Sequence, residues 1–293
     1  MPPLLAATTL RIDVSGVPAL DGLSCATTGD RVLVLGAARA LFEGAAGLRK
    51  VARGELRVEG ADPVAAVGEG AVACAPLDPP LPPDWTVTQY ARWSARLAGR
   101  TRSEAVSLAA DALERMQLAA SVGRTKLAVA GLPVRRGAVL AAALATGAKT
   151  LLVEDPTPGL ADEAARALAR VLARAVADRR SALFAARIAL DSPLALAADE
   201  ALVVDGSRVA AQGAPAEIAS AERTLLLRVH GDAIGFARAV EGAGGRADVT
   251  TGAPSPAHVQ VHLGPLAARD LLRIAAETSA IVVELRPLAR SFA

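Results

Sequence analysis

The chain is poor in aromatic side chains, with two tryptophans, one tyrosine and four phenylalanines among 293 residues. Its core must therefore be filled by aliphatic residues and alanine, and hydrophobic residues do make up 52% of the chain. That abundance is not gathered into long runs. No apolar stretch reaches the eighteen or so residues that a bilayer-spanning helix requires. Cysteine is scarce: Cys25 and Cys74 stand far apart without paired spacing, so neither a zinc knot nor a disulfide framework is expected. The three histidines, His230, His258 and His262, all fall in the last quarter. His258 and His262 are four apart in a strand-like segment, which puts them on one face with poor reach for a common metal. Charge of one sign is lacking too, since 32 basic and 30 acidic residues leave a net charge of +2. A dominant polyanion-binding surface is not expected, nor a nucleic-acid partner. The arginines of 92–102 and 166–180 read as solvated helix faces. Met1–Thr9 has neither a basic start nor a long apolar core, so the expected location is cytoplasmic.

What is present is a regular alternation of strand-like and helix-like segments, the pattern of an α/β fold. Leu4–Val14 and Ala19–Ser24 read as the first two strands. Arg31–Leu35 is an apolar, β-branched strand that stops at Gly36. A phosphate-binding loop built there needs glycines to curl successive N–H groups around an oxyanion, a lysine to reach the outer phosphates, and a serine or threonine for magnesium. The residues after Gly36 are Ala-Ala-Arg-Ala-Leu-Phe-Glu-Gly, so the expectation is a short turn into a packed helix. Arg39 is the one residue there suited to meet an anion, and Glu43 would repel one. Trp85–Tyr90 reads as a threonine cap opening an amphipathic helix, with Gln89 on its surface. Ser103–Leu118 is helical with Val106, Leu108, Ala109, Leu113 and Met116 as its core face. Asp162–Arg180 is helical, and Ser181–Ala186 is a strand.

The stretch Thr150–Leu160, T-L-L-V-E-D-P-T-P-G-L, is an apolar run that ends in two carboxylates, a proline-bracketed turn and a glycine. Buried parallel strands present charge at the mouth of a sheet in this way. It resembles the Walker B strand of the ATP-binding subunits of ABC transporters, which runs apolar residues, Asp-Glu-Pro-Thr and Gly-Leu-Asp. Here the acids are exchanged, Glu154 before Asp155, and Ala161 takes the last position. The resemblance extends to Gly54–Gly60 after the phosphate loop, to the segment 198–218 with its Gly-x-Pro-x-Glu ending, and to the closing Leu285–Phe292, a worn form of an exporter-type tail. It implies an α/β, P-loop NTPase-like ABC ATPase fold over residues 1–221, with a helical subdomain near 85–145. A small α+β ferredoxin-like accessory domain follows over 222–293, in the order βαββαβ from Thr224–Val229 to Ala280–Leu285.

Set against that family, the positions that would handle a nucleotide have changed. No aromatic stands near Val14–Val17 to stack on adenine, and the turn at Gly36 is about four residues too short for the loop and its helix start. Leu77 stands where a glutamine would link magnesium to a membrane partner. Ala130–Val134 stands where the signature Leu-Ser-Gly-Gly-Gln would be, and Ala142 replaces an arginine in the helix that follows. Arg187 lies at the switch histidine's place. Gly36 and Arg39, Glu154 and Asp155, and Arg187 therefore read as vestiges of the phosphate loop, the acid pair and the switch. The expectation is a pseudo-ATPase, not an enzyme, with no cofactor and no metal. Such a chain would be a structural or regulatory subunit that pairs with an active ATP-binding homologue or a membrane permease, reaching the inner membrane only through that partner. A homodimer, a soluble scaffold that reuses the fold, and an ATPase working through Arg39, Arg187, Glu154 and Asp155 are the alternatives.

Overall fold

The computed structural model describes residues 1–189, 192–221, 224–249 and 256–287. The chain divides into two compact units, Met1–Pro215 and Ala216–Arg290. Residues 288–292 of the closing tail lie outside the described residues. In chain order the first unit holds β1 (Leu5–Val14), β2 (Val17–Ala26), β3 (Arg31–Gly36), α1 (Ala38–Ala45), β4 (Arg53–Val58), α2 (Pro63–Gly68), β5 (Val72–Ala75), α3 (Val87–Leu97), α4 (Arg102–Arg115), α5 (Ala120–Gly123), α6 (Leu132–Ala145), β6 (Thr150–Glu154), α7 (Asp162–Ala175), β7 (Arg180–Ala185), α8 (Pro193–Leu196), β8 (Glu200–Asp205) and β9 (Arg208–Gly213). After α9 (Pro215–Ala221), the second unit holds β10 (Thr224–Gly231), α10 (Ala233–Gly242), β11 (Arg246–Val249), β12 (Ala257–His262), α11 (Ala268–Glu277) and β13 (Ala280–Pro287).

Six strands form the central sheet in the order β5-β6-β7-β3-β8-β9, parallel except for β9. The runs Val32–Leu35 and Leu151–Val153 are buried throughout because both faces of these strands are covered. A second, antiparallel sheet, β2-β1-β4, packs its buried Leu10, Ile12, Leu20 and Leu23 into the same core as α1. Phe42 of α1 meets Phe184 of β7 edge to face, with centroids 5.5 Å apart. The second unit is a four-stranded antiparallel sheet, β11-β12-β10-β13, with two helices and a core around Phe236, Leu227 and Val261. Its βαββαβ order is the ferredoxin-like arrangement that the sequence implies.

Helices α3 to α6 form a subdomain that packs through alanine. Val87, Ala91 and Ala95 of α3 and Ala105, Ala109 and Ala112 of α4 are buried at helical spacing. The expected core face of α4 is corrected in part: Val106 is 43% exposed, because close helix approach selects the small residues for the seam. Thr86 and Gln89 make the reciprocal capping box at the start of α3, and Thr101 and Glu104 do the same for α4. The expected helix to Arg180 ends instead at Ala175. Arg180 belongs to β7, where it pairs with Thr150 and its guanidinium binds Asp30 and Glu59.

Candidate functional site

The carboxyl ends of β6, β7 and β3 lie side by side, and in such sheets this edge is where ligands are received. A cleft of about 560 Å³ opens there. Gly36, Arg39, Glu154, Asp155 and Arg187, which the sequence singles out one by one, all line it, together with Leu77. Gly36 is required at the end of β3 on two grounds. Its φ is +86°, and an added Cβ would press on the Val204 carbonyl oxygen of β8. The next amide, Ala37 N–H, donates to that same oxygen at 3.2 Å, so it points into the sheet and away from the cleft. Helix α1 begins directly afterwards, with no side chain capping its amino end and no acid in its first turn.

Arg39 leads out of this helix and is largely solvent-exposed. Its Nε lies 3.1 Å from Glu43 and 3.8 Å from Glu154 Oε1. Glu43, expected to repel an anion, is held by Arg39 and also by Arg49 at 2.5 Å. Burial works against its charge, yet the hydrogen bonds from Arg49 and Arg39 keep its carboxyl below the usual range. Glu154 is mostly buried, and its Oε2 accepts the Leu77 N–H at 2.8 Å. Asp155 turns the other way. Its Oδ1 accepts the N–H and hydroxyl of Thr157 at 2.9 and 2.7 Å, closing the turn that carries Pro156 and Pro158. Burial pushes the Asp155 carboxyl above its ordinary value, and the Thr157 hydrogen bonds and Arg136 oppose the shift only in part. Arg187 follows β7 and is exposed at the cleft edge.

A magnesium ion, which the family resemblance implies at the acid pair, does not fit these residues. One Glu154 oxygen is occupied by a backbone amide and the other faces a guanidinium, while Asp155 spends one oxygen on Thr157 and has its carboxyl pushed up by burial. No serine, threonine or lysine stands between Gly36 and Ala40. Among the described residues, no three His, Cys, Asp or Glu side chains converge to hold a metal.

Sequence reasoning passed over two buried charged residues, one beside the cleft and one at the far end of the strand that leads to it. Arg136, one turn into α6 and 6% exposed, binds the Leu77 carbonyl and pairs with Asp78 at 2.6 Å, while its Nε has no partner. It thus fixes Leu77, whose own amide holds Glu154. The one signal was an Arg-Arg pair in an otherwise apolar helix. Glu200 is 4% exposed at the start of β8, and accepts the N–H groups of Thr28 and Gly29, both at 2.7 Å, and Gln212 Nε2 at 2.6 Å. Ala130–Val134 lies outside the cleft, with Gly131 capping α6 and Pro133 in its first turn.

No family profile matches the chain, and no curated protein matches it. Solved structures do. CbiO1 from Clostridium perfringens, part of the ABC transporter complex cbiONQ, aligns with a TM-score of 0.63 at 19% identity, covering 75% of this chain and 92% of that one. An ATP-binding subunit of an ABC transporter gives 0.62 at 17% identity, covering 74% and 92%. The ADP conformation of MJ1267, an ATP-binding cassette, gives 0.60 at 17% identity, covering 73% and 92%. These likenesses correct the expectation that the chain is not an enzyme. The fold it shares is that of ATP-binding cassettes, one of them solved in its ADP conformation. The chain has the fold of the ATP-binding cassette of ABC transporters.

Proposed function

We propose that the chain is a subunit of an ABC-type complex, with a structural or regulatory role in pairing with an ATP-binding homologue or a membrane permease. The observation that carries this reading is the pairing of a complete cassette scaffold, helical subdomain included, with a turn after Gly36 that has no lysine and directs its first amide into the sheet. The partner then contributes the phosphate loop, and the chain supplies the opposite half of a two-cassette geometry. No helix of the described residues is long and apolar enough to cross a membrane, so contact with the inner membrane runs through the permease. Affinity capture of the tagged full chain from detergent-solubilised membranes of its source tests this. A co-purifying chain with a Gly-Lys-Ser or Gly-Lys-Thr loop, or a permease, is the expected result. Recovery only as a monomer or as self-assembled copies counts against it.

A second reading is an ATP-binding or ATPase subunit that works through unconventional groups. It is favoured by the single cleft that gathers Arg39, Arg187, Glu154 and Asp155. ATP turnover by the captured complex that falls in Asp155→Asn would support it.

A further inference from the structure

The misfit between the cleft and a divalent cation has a positive counterpart in the groups that are present. We propose that the cleft accepts a phosphate-bearing anion without a divalent metal, with the guanidinium of Arg39 standing where the metal's charge would be and Arg187 contributing from across the cleft. The geometry carries this in three steps. First, Glu154 is already engaged inside the protein, its Oε2 by the Leu77 amide at 2.8 Å and its Oε1 facing the Arg39 guanidinium at 3.8 Å, where a cation would have to compete with that charge. Second, when Arg39 pairs outward, Glu43 keeps Arg49 at 2.5 Å and Glu154 keeps the Leu77 amide at 2.8 Å, so neither carboxylate is left without a partner. Third, Arg39 is 76% exposed and Arg187 is exposed, and both line the same 560 Å³ space, large enough for a chain of phosphates. Guanidinium groups bind phosphate oxygens in a bidentate manner and stay charged at every accessible pH, as a metal's charge would. Asp155, the remaining acid that lines the cleft, has its Oδ1 turned onto the N–H and hydroxyl of Thr157.

This inference goes beyond the subunit reading and does not depend on it, because it concerns the chain alone. The test is a thermal unfolding scan of the full chain with inorganic tripolyphosphate, in EDTA and again in excess magnesium. Trp85 and Trp93, the chain's two tryptophans, lie in the unit that holds the cleft, so their fluorescence follows that unit. Tripolyphosphate at about a hundredfold over its dissociation constant is expected to raise Tm by about 5–10 °C. The rise should be the same in EDTA and magnesium, be lost in Arg39→Gln and be reduced in Arg187→Gln, and it should persist in the surface control Arg102→Gln. A rise that needs magnesium, no rise in either buffer, or a rise that Arg39→Gln leaves intact each overturns the proposal. Manganese alone, followed by electron paramagnetic resonance, gives an independent readout. A bound ion that disappears in Glu154→Gln would also overturn it.

Discussion

Glu200 gives the sharpest handle on how the amino end of β3, the strand that leads to Gly36, is anchored. Its carboxylate joins three segments: Oε2 takes two amides from the turn that leads into β3, and Oε1 takes the side chain of Gln212 on β9. Gln212 in turn donates to the Ala26 carbonyl at 2.7 Å, so one buried acid anchors the entry to the strand that ends at Gly36. Hydrogen bonds to a charged group contribute about 1.5–3 kcal/mol each, and a donor left unpaired costs about 1–3 kcal/mol when it stays dry. Thr28 is exposed and Gly29 partly so, and their amides recover some of this from water. Glu200→Ala is therefore expected to cost about 2–4 kcal/mol. Glu200→Gln keeps one oxygen for the two amides but turns an NH2 toward the donor of Gln212, for a loss of about 1–2 kcal/mol. At about 2–4 °C per kcal/mol, the alanine variant should melt about 5–15 °C lower and the glutamine variant should fall between it and the parent. Tryptophan fluorescence reads the transition in the unit concerned. An alanine variant that loses less than about 0.5 kcal/mol, or a glutamine variant that is the worse of the two, refutes the reasoning.

Gly36→Ala forces a side chain into a left-handed backbone and onto the Val204 carbonyl, so it should cost more than the ~1–2 kcal/mol of the backbone strain alone. Urea denaturation of the variant checks this, and an unchanged midpoint would mean that the β3–β8 junction is looser than described. Asp155 has its carboxyl pushed up by burial, which makes its contribution greatest at low pH and lost as pH rises through the raised native value. Asp155→Asn, which can still accept from Thr157, should be more stable than the parent at pH 7, with the gap closing as pH falls toward the usual carboxylate range. Tm measured across pH 3.5 to 8 shows whether the gap behaves so, and a variant less stable at pH 7 contradicts it. Burial pushes the Cys74 thiol up to about 12 and raises Cys25 as well. Titration with a thiol-specific reagent at pH 8 should find Cys74 inert in the native chain and both thiols reactive after unfolding.

The parts of the fold that could be read from the chain are those set by local pattern. Four consecutive apolar residues ending at Gly36, and the similar run ending at Glu154, specify strands buried on both faces, and those strands place the two ends of the cleft. Thr86 announces its helix because a hydroxyl three residues ahead of Gln89 satisfies both exposed amides, and Thr101 with Glu104 carries the same signal. What could not be read is set by distance in the sequence. Arg136 reaches residues 58 and 59 positions earlier, and Glu200 reaches back 171 and 172, with no local periodicity to mark either. Val106 misled because apolar size was taken to mean core, whereas a seam of alanines lets α3 and α4 approach closely and leaves the larger side chain outside. The end of α7 misled for a related reason. Ala177, Asp178 and Arg179 are compatible with helix, and it is strand pairing and the ion pairs of Arg180 that draw the chain into β7. How Glu154, Leu77 and Arg39 are arranged required the fold.

The proposed role as one member of a pair is tested most directly by the mass of the assembled species. The chain alone is 29.7 kDa. Co-expressed with the partner identified by affinity capture and passed through size exclusion with light scattering, it is expected to elute as a discrete one-to-one complex at the summed mass. Elution of the chain at its own mass, with the partner present and folded, would contradict the account.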